Sequence, residues 1–168
     1  SYWIALWTPT SPRNAECQCL GCSALISTTR ALPRNGKSVA CLVDSSVWIA
    51  AANSKNRECL QLRRIIEKNE RICIVRPIQV EICQGARTED QFHALWESLL
   101  GFEFLEITDR IWGESAYSYF RCRKKGITLG TLDCLIATVS REYKIPLWSL
   151  DRTLIHAANV LGFELFSP

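Results

Sequence analysis

Residues 39–49 read Val39-Ala40-Cys41-Leu42-Val43-Asp44-Ser45-Ser46-Val47-Trp48-Ile49, and this stretch decides the fold. Five apolar residues with no polar alternation describe a strand covered on both faces, the mark of a parallel sheet. The strand stops at Asp44, and Ser45 is expected to cap a helix through Ala52. Working outward, residues 55–68 place Cys59, Leu62, Ile65 and Ile66 at helical spacing. Ile72 to Val75 is a second short strand. Pro77 opens a helix over 77–84, which Gly85 stops. Glu89 to Leu100 is amphipathic, with Phe92, Leu95, Trp96 and Leu99 on one face. A third strand covers Phe104 to Ile107, and helices cover Asp109 to Lys125 and Leu132 to Tyr143. Leu147 to Ser149 is a strand, Arg152 to Val160 a helix, and Glu164 to Phe166 a closing strand. Strands alternating with helices imply βαβ units, and in such open sheets function collects at the carboxyl ends of the strands.

The remaining composition bounds the answer. The 168 residues are 48% hydrophobic and 22% charged, enough apolar mass for one core and too much for a disordered chain. The longest apolar segment, Val39 to Ala52, is broken by Asp44, Ser45 and Ser46, so nothing spans a bilayer. Residues 1–40 hold four basic residues and one acid, while residues 41–168 hold 16 of each. The body is not a generally basic nucleic-acid coat, and a polyanion must be met by local patches. Residues 1–38 are interrupted by Pro9, Pro12, Gly21, Pro33 and Gly36 and read as an irregular extension. With no methionine in the chain, Val39 reads as the start of the working domain, residues 39–168. Cys17, Cys19 and Cys22 could bind zinc, but a tetrahedral site wants a fourth ligand and none is near. The other six cysteines are scattered, several in apolar runs, where a reduced thiol acts as a small hydrophobe. A reducing, cytoplasmic setting follows.

Four acids stand where a parallel sheet would gather them. Asp44 follows the first strand directly, and Asp151 follows the Leu147 strand by two residues. Asp133 lies in the first turn of a helix that Thr131 is expected to cap. Glu81 lies one turn into its helix among Val80, Ile82 and Cys83, where an unpaired charge is costly. Taken singly, each has an ordinary reading: Asp44 and Asp151 as helix caps, Asp133 as dipole compensation, Glu81 as the partner of Arg76 or Arg87. Four from separate segments around one sheet point to a shared cleft.

The residues that carry these acids resemble a known family. Cys41 to Ile49 and Glu81-Ile82-Cys83-Gln84-Gly85-Ala86-Arg87 are similar to the first two motifs of PIN-domain ribonucleases. Gly126 to Ala137 and Leu147-Trp148-Ser149-Leu150-Asp151-Arg152 are similar to the third and fourth. The nearest pattern is the VapC-type toxin of bacterial toxin–antitoxin pairs, from Val39 to the C-terminus. The resemblance implies a PIN-like three-layer α/β/α fold with a central parallel sheet of about five strands. It also implies an RNA substrate, a cognate VapB-type antitoxin and a homodimer. Thr153 departs from the pattern where many relatives carry a further acid, so four carboxylates are implied and not five.

The chemistry of such a cluster stands beside the resemblance. Four carboxylates pushed together must be partly protonated or must hold a cation. Oxygen-only ligands select Mg²⁺ or Mn²⁺ over zinc. Asp44, Glu81, Asp133 and Asp151 are thus the candidate metal ligands and catalytic residues for phosphodiester hydrolysis, leaving a 5′-phosphate and a 3′-hydroxyl. Ser45, Ser149 and Thr131 are the candidate supports of those carboxylates. Arg121, Arg123, Lys124, Lys125 and Arg87 could hold RNA phosphates, though a basic helix end is equally an ordinary solvated one. Trp112, Tyr117 and Tyr119 read first as core and second as base-stacking rings. His93 and His156 are isolated and read as surface or packing residues. An aspartyl-phosphate phosphatase would want an acid where Ser46 stands, and no P-loop or GxGxxG is present. The rival readings are a DNA-directed nuclease on the same scaffold and a binding module without catalysis.

Overall fold

The computed structural model describes residues 40–52, 56–68 and 70–167. The assigned extension, Val39 and the cluster Cys17, Cys19 and Cys22 lie outside the described residues. The elements run β1 (Ala40–Val43), α1 (Ser45–Ala51), α2 (Arg57–Glu67), β2 (Arg71–Ile74), α3 (Arg76–Cys83) and α4 (Glu89–Leu99). They continue with β3 (Glu103–Phe104), α5 (Asp109–Lys124), α6 (Thr131–Tyr143), β4 (Leu147–Trp148) and α7 (Arg152–Leu161).

The four strands are parallel in the order β3-β2-β1-β4, with Leu42 opposite both Cys73 and Leu147. Leu42, Val43, Ile74 and Leu147 are fully buried, as expected of strands covered on both faces. The expected fifth strand contributes only one parallel bridge, Leu147 to Leu165. The chain moves outward from β1 to β2 and β3, then returns to place β4 on the other side of β1. The reversal makes the carboxyl ends of β1 and β4 the switch point, where ligands bind in open α/β sheets.

Two helix caps differ from expectation. Asp44, not Ser45, is the N-cap of α1, because its carboxylate accepts from the Ser46 N–H at 3.4 Å. Gly130, not Thr131, is the N-cap of α6, and Thr131 is its first helical residue.

Helix α6 is the central one, with every residue from Cys134 to Ser140 buried. A helix buried all round belongs to the core. Helix α5 meets it through a small-residue face, Ser115, Ser118 and Cys122. The Ser118 and Thr138 hydroxyls lie 3.1 Å apart across that contact. Trp112, Tyr117 and Phe120 of α5 consequently point outward, at 48%, 57% and 49% exposure. The core reading of Trp112 and Tyr117 is therefore overturned, because the serines take the buried positions that the aromatics were expected to fill. Tyr119 is half-buried and packs against the core.

The six described cysteines are free and buried. Burial pushes the Cys41 and Cys73 thiols up to about 12 and Cys134 to about 11, so they remain protonated and unreactive. Among the described residues no helix is long and apolar enough to cross a membrane.

Candidate active site

Asp44 leaves β1 at the centre of the sheet and is only 5% exposed. Its Oδ2 accepts from Ser46 Oγ at 2.5 Å and from Ser149 Oγ at 2.9 Å. The same two hydroxyls accept from the Leu150 and Asp151 N–H groups, each at 3.0 Å. The turn after β4 is thus tied to the turn after β1. Asp151 caps α7, with its Oδ1 accepting from the Thr153 and Leu154 N–H groups at 2.6 and 3.1 Å. Asp133 stands at the third position of α6 and reaches back, its Oδ2 accepting from the Gly130 N–H at 3.0 Å. Glu81, on α3, is hydrogen-bonded by Ser45.

The pattern of acceptance is asymmetric. Among the described residues, one oxygen of each of the three aspartates receives all the protein donors: Oδ2 of Asp44, Oδ2 of Asp133, Oδ1 of Asp151. Among the described residues no lysine or arginine forms an ion pair with any of the four acids. Arg76 donates to Gln79 at 2.7 Å and lies 3.9 Å over the Phe104 ring, so it does not neutralise Glu81.

The acids sense one another. Burial raises the pKa of Glu81, and the charges of Asp44 and Asp133 add to that rise. Burial likewise raises Asp133, helped by Asp151 and Asp44 and opposed by the Gly130 N–H. Glu81 and Asp133, raised by burial and then by neighbouring carboxylates, suit a cation, and an all-oxygen donor set suits a hard one. Among the described residues no three His, Cys, Asp or Glu side chains stand close enough to hold one ion together. As placed, an ion would therefore draw on two carboxylates at most and complete its shell with water, which is how Mg²⁺ is usually held.

The other sequence candidates separate into groups. Ser45 bonds Glu81 and Ser149 bonds Asp44, whereas Thr131 is exposed at the start of α6. Sequence reasoning missed Ser46, which holds Asp44 most closely; the Asp-x-Ser spacing is a local side-chain-to-backbone motif that could have disclosed it. Arg121 donates to the Val160 carbonyl at the far end of α7, about 13 Å along that helix from its Asp151 cap. Arg123 lies 5.9 Å over the Tyr119 ring and Lys124 lies 4.6 Å over Phe120. Both remain exposed, as does Lys125. His93 faces Glu89 at 3.9 Å on the surface, and His156 is exposed.

Beside Glu81 lies a cleft of about 730 Å³, lined among others by Val80, Leu105, Ile107, Trp112 and Leu132. A second cleft of about 520 Å³ shares Val80 and Gln84 with it and is lined further by Arg87, Phe92 and Trp96.

The family model of the PIN domain matches residues 41–160. Ribonuclease VapC11 of Mycobacterium tuberculosis is 32% identical over 131 residues, covering 75% of this chain and 97% of that protein. A VapC ribonuclease of Mycobacterium bovis matches to the same extent. Among solved structures, VapBC2 from Rickettsia felis, bound to a DNA fragment from their promoter, aligns with a TM-score of 0.62 at 16% identity. That alignment covers 76% of this chain and 98% of that one. FitAcB from Neisseria gonorrhoeae aligns with a TM-score of 0.62 at 15% identity, covering 76% and 97%. At these identities the structural likeness is one of fold.

Proposed function

The chain belongs to the PIN-domain family, and from that premise we propose that it is a divalent-metal-dependent endoribonuclease, the toxin of a toxin–antitoxin pair. The observation that carries this is the buried Asp44 in a common field with Glu81 and Asp133, with no basic side chain among the described residues paired to them. A pure binding module has no use for an electrostatically costly cluster. That the matching relatives are VapC ribonucleases supports RNA as the substrate.

Asp44, Glu81, Asp133 and Asp151 are the carboxylates from which Mg²⁺ or Mn²⁺ would draw its ligands, no more than two of them at once as placed; the ion when bound supplies an activated water and charge neutralisation at the scissile phosphate. The chain's own part is to aim the carboxylates. Ser46 and Ser149 fix one face of Asp44, Ser45 steadies Glu81, and two helix starts fix Asp133 and Asp151. Arg123, Lys124 and Lys125, exposed at the end of α5, would attract the RNA backbone.

A VapB-type antitoxin is part of the reading. Its arginine or lysine would enter the acidic site, where a guanidinium bonds carboxylates bidentately. An apolar strip of the same peptide would lie in the cleft beside Glu81. A homodimer is the remaining element, with the outward aromatics of α5 covered by a second copy. Residues 39–168 form the working domain, in a reducing, cytoplasmic setting.

The test incubates purified protein with structured RNA, unstructured RNA and DNA of matching sequence, in Mg²⁺, Mn²⁺ or EDTA. RNA should be cut to 5′-phosphate products with metal and left whole in EDTA. Cleavage of DNA alone would favour the rival nuclease, and no cleavage of either would remove the catalytic reading. Expression of the chain alone should arrest growth, and co-expression of its upstream neighbour should restore it.

A further inference from the structure

Among the described residues one buried side-chain nitrogen or oxygen lacks a hydrogen-bond partner, and it is Nε of Arg87. A buried donor without an acceptor is disfavoured, and each instance in a fold asks for a reason. Arg87 sits just beyond α3, with its backbone N–H donating to Gln91 Oε1 at 3.0 Å, so the backbone is anchored while the side-chain Nε has no acceptor.

Two further features share that cleft. Phe92 and Trp96, one helical turn apart on α4, lie with ring centres 6.1 Å apart and planes within 20° of parallel. Phe92 is 40% exposed. Gln84 and Glu89, which also line the cleft, offer an amide and a carboxylate. The cleft adjoins the one that holds Glu81, since Val80 and Gln84 line both. A cation short of an acceptor, flat apolar rings beside it and polar groups at the edge match a nucleotide. The phosphate answers the guanidinium, the base lies against the aromatics, and base edges meet the amide or carboxylate. An acidic peptide would satisfy the cation but would leave the rings without a flat partner.

We infer that the Arg87–Phe92–Trp96 cleft is a substrate subsite, which takes one unpaired nucleotide of the RNA a short way along the strand from the bond cut beside Glu81. The inference rests on the ribonuclease reading and gives it a specificity element, since an unstacked base fits this cleft and a paired one does not.

The test uses the Asp44→Asn variant in EDTA, which binds without cutting, and a short fluorescein-labelled single-stranded RNA followed by anisotropy across a salt series. Adding Arg87→Ala should weaken binding about tenfold and lower the salt slope by about one. Arg87→Lys should keep the slope and recover part of the affinity. RNAs carrying a single abasic position should show one position whose loss weakens binding, and Phe92→Ala should erase that sensitivity. The melting temperature of Arg87→Ala should hold or rise, because the orphaned donor is gone; a purely structural arginine would lower it and leave the salt slope alone. Unchanged affinity and slope in Arg87→Ala, with the unmodified protein still cutting RNA, overturns the subsite and leaves the ribonuclease reading standing. RNA neither bound nor cut overturns both. If Arg87→Ala spares RNA binding but loosens the antitoxin complex or the dimer, the cleft is a protein-docking face and the inference fails.

Discussion

Replacing Asp44 separates what that residue does for the fold from what it does for the chemistry. Asp44→Ala removes the cap of α1, a loss of about 1 kcal/mol. It also strands the Ser46 and Ser149 hydroxyls, which now donate to a buried carboxylate; hydrogen bonds to charged groups contribute roughly 1.5–3 kcal/mol. Relief of repulsion with Glu81 and Asp133 offsets part of this, which leaves a net cost of about 3 kcal/mol. At about 2–4 °C per kcal/mol for a chain of this size, the melting temperature should fall by roughly 6–12 °C. Asp44→Asn is different. Asparagine caps as well as aspartate, its amide oxygen accepts, and the two hydroxyls rotate to suit, so stability should stay within about 1 kcal/mol of the parent. Both variants should lose cleavage.

The assay that distinguishes the roles is thermal melting with and without Mg²⁺. At a hundred times its dissociation constant a ligand adds about 2.7 kcal/mol, so the parent should gain several degrees. Asp44→Asn should gain clearly less. Equal gains in parent and Asp44→Asn would remove Asp44 from the metal site. An asparagine variant as unstable as the alanine one would refute the account of the cap.

Three further outcomes are expected. A Cβ at Gly130 would stand 2.9 Å from Asp133 Oδ2, and the backbone there, at φ −69°, accepts alanine. Gly130→Ala should thus displace a flexible carboxylate, change stability by less than about 1 kcal/mol and still lose most cleavage; full activity would show that Asp133 is not required where it stands. Glu81 and Asp133 hold their protons more tightly folded than unfolded, so metal-free stability should be greatest in mild acid and fall as pH rises from about 4 through the raised values. Glu81→Gln should flatten that fall in urea titrations across pH, and a stability that rises over the same window in the parent would contradict the assignment. Light scattering should give about twice the 19.1 kDa chain mass, and a persistent monomer in protein that still cuts RNA would end the dimer reading.

What sequence made legible follows from how local each cause is. The run Cys41-Leu42-Val43 could only be a fully covered strand, and β1 is buried along that run. Helix starts came within a residue or two because Asp44, Pro77 and Asp151 act on their own neighbours, whereas the third strand ends at Phe104, three residues short of the expected Ile107. The closing strand was over-read because Glu164-Leu165-Phe166 has strand composition, whereas pairing depends on a partner edge long enough to receive it, and β4 has two residues. The outward face of α5 was misread for a related reason. Its aromatics look like core, but close approach to α6 favours Ser115, Ser118 and Cys122 at the contact, and only the partner helix reveals that choice. Arg121 could not be separated from Arg123 and Lys124 by sequence, since its acceptor is a carbonyl 39 positions away.

The acids themselves show why capping and ligation were never alternatives. A helix cap needs one oxygen of a carboxylate, and the N–H groups that donate to it also set its direction. Asp44, Asp133 and Asp151 each give one oxygen to that task, and among the described residues no donor meets the second. The helix start therefore acts as a mount: it holds a charged group rigidly without consuming the lone pairs that would bind an ion. Glu81 has no such mount and depends on Ser45, so it is the carboxylate most free to move. Among the described residues no three acids yet meet at one point, and the adjustment that brings in an ion should fall mainly on Glu81. Ser45→Ala should accordingly weaken Mg²⁺-dependent stabilisation more than it changes metal-free stability. Equal effects on both would mean that Ser45 supports the fold and not the site.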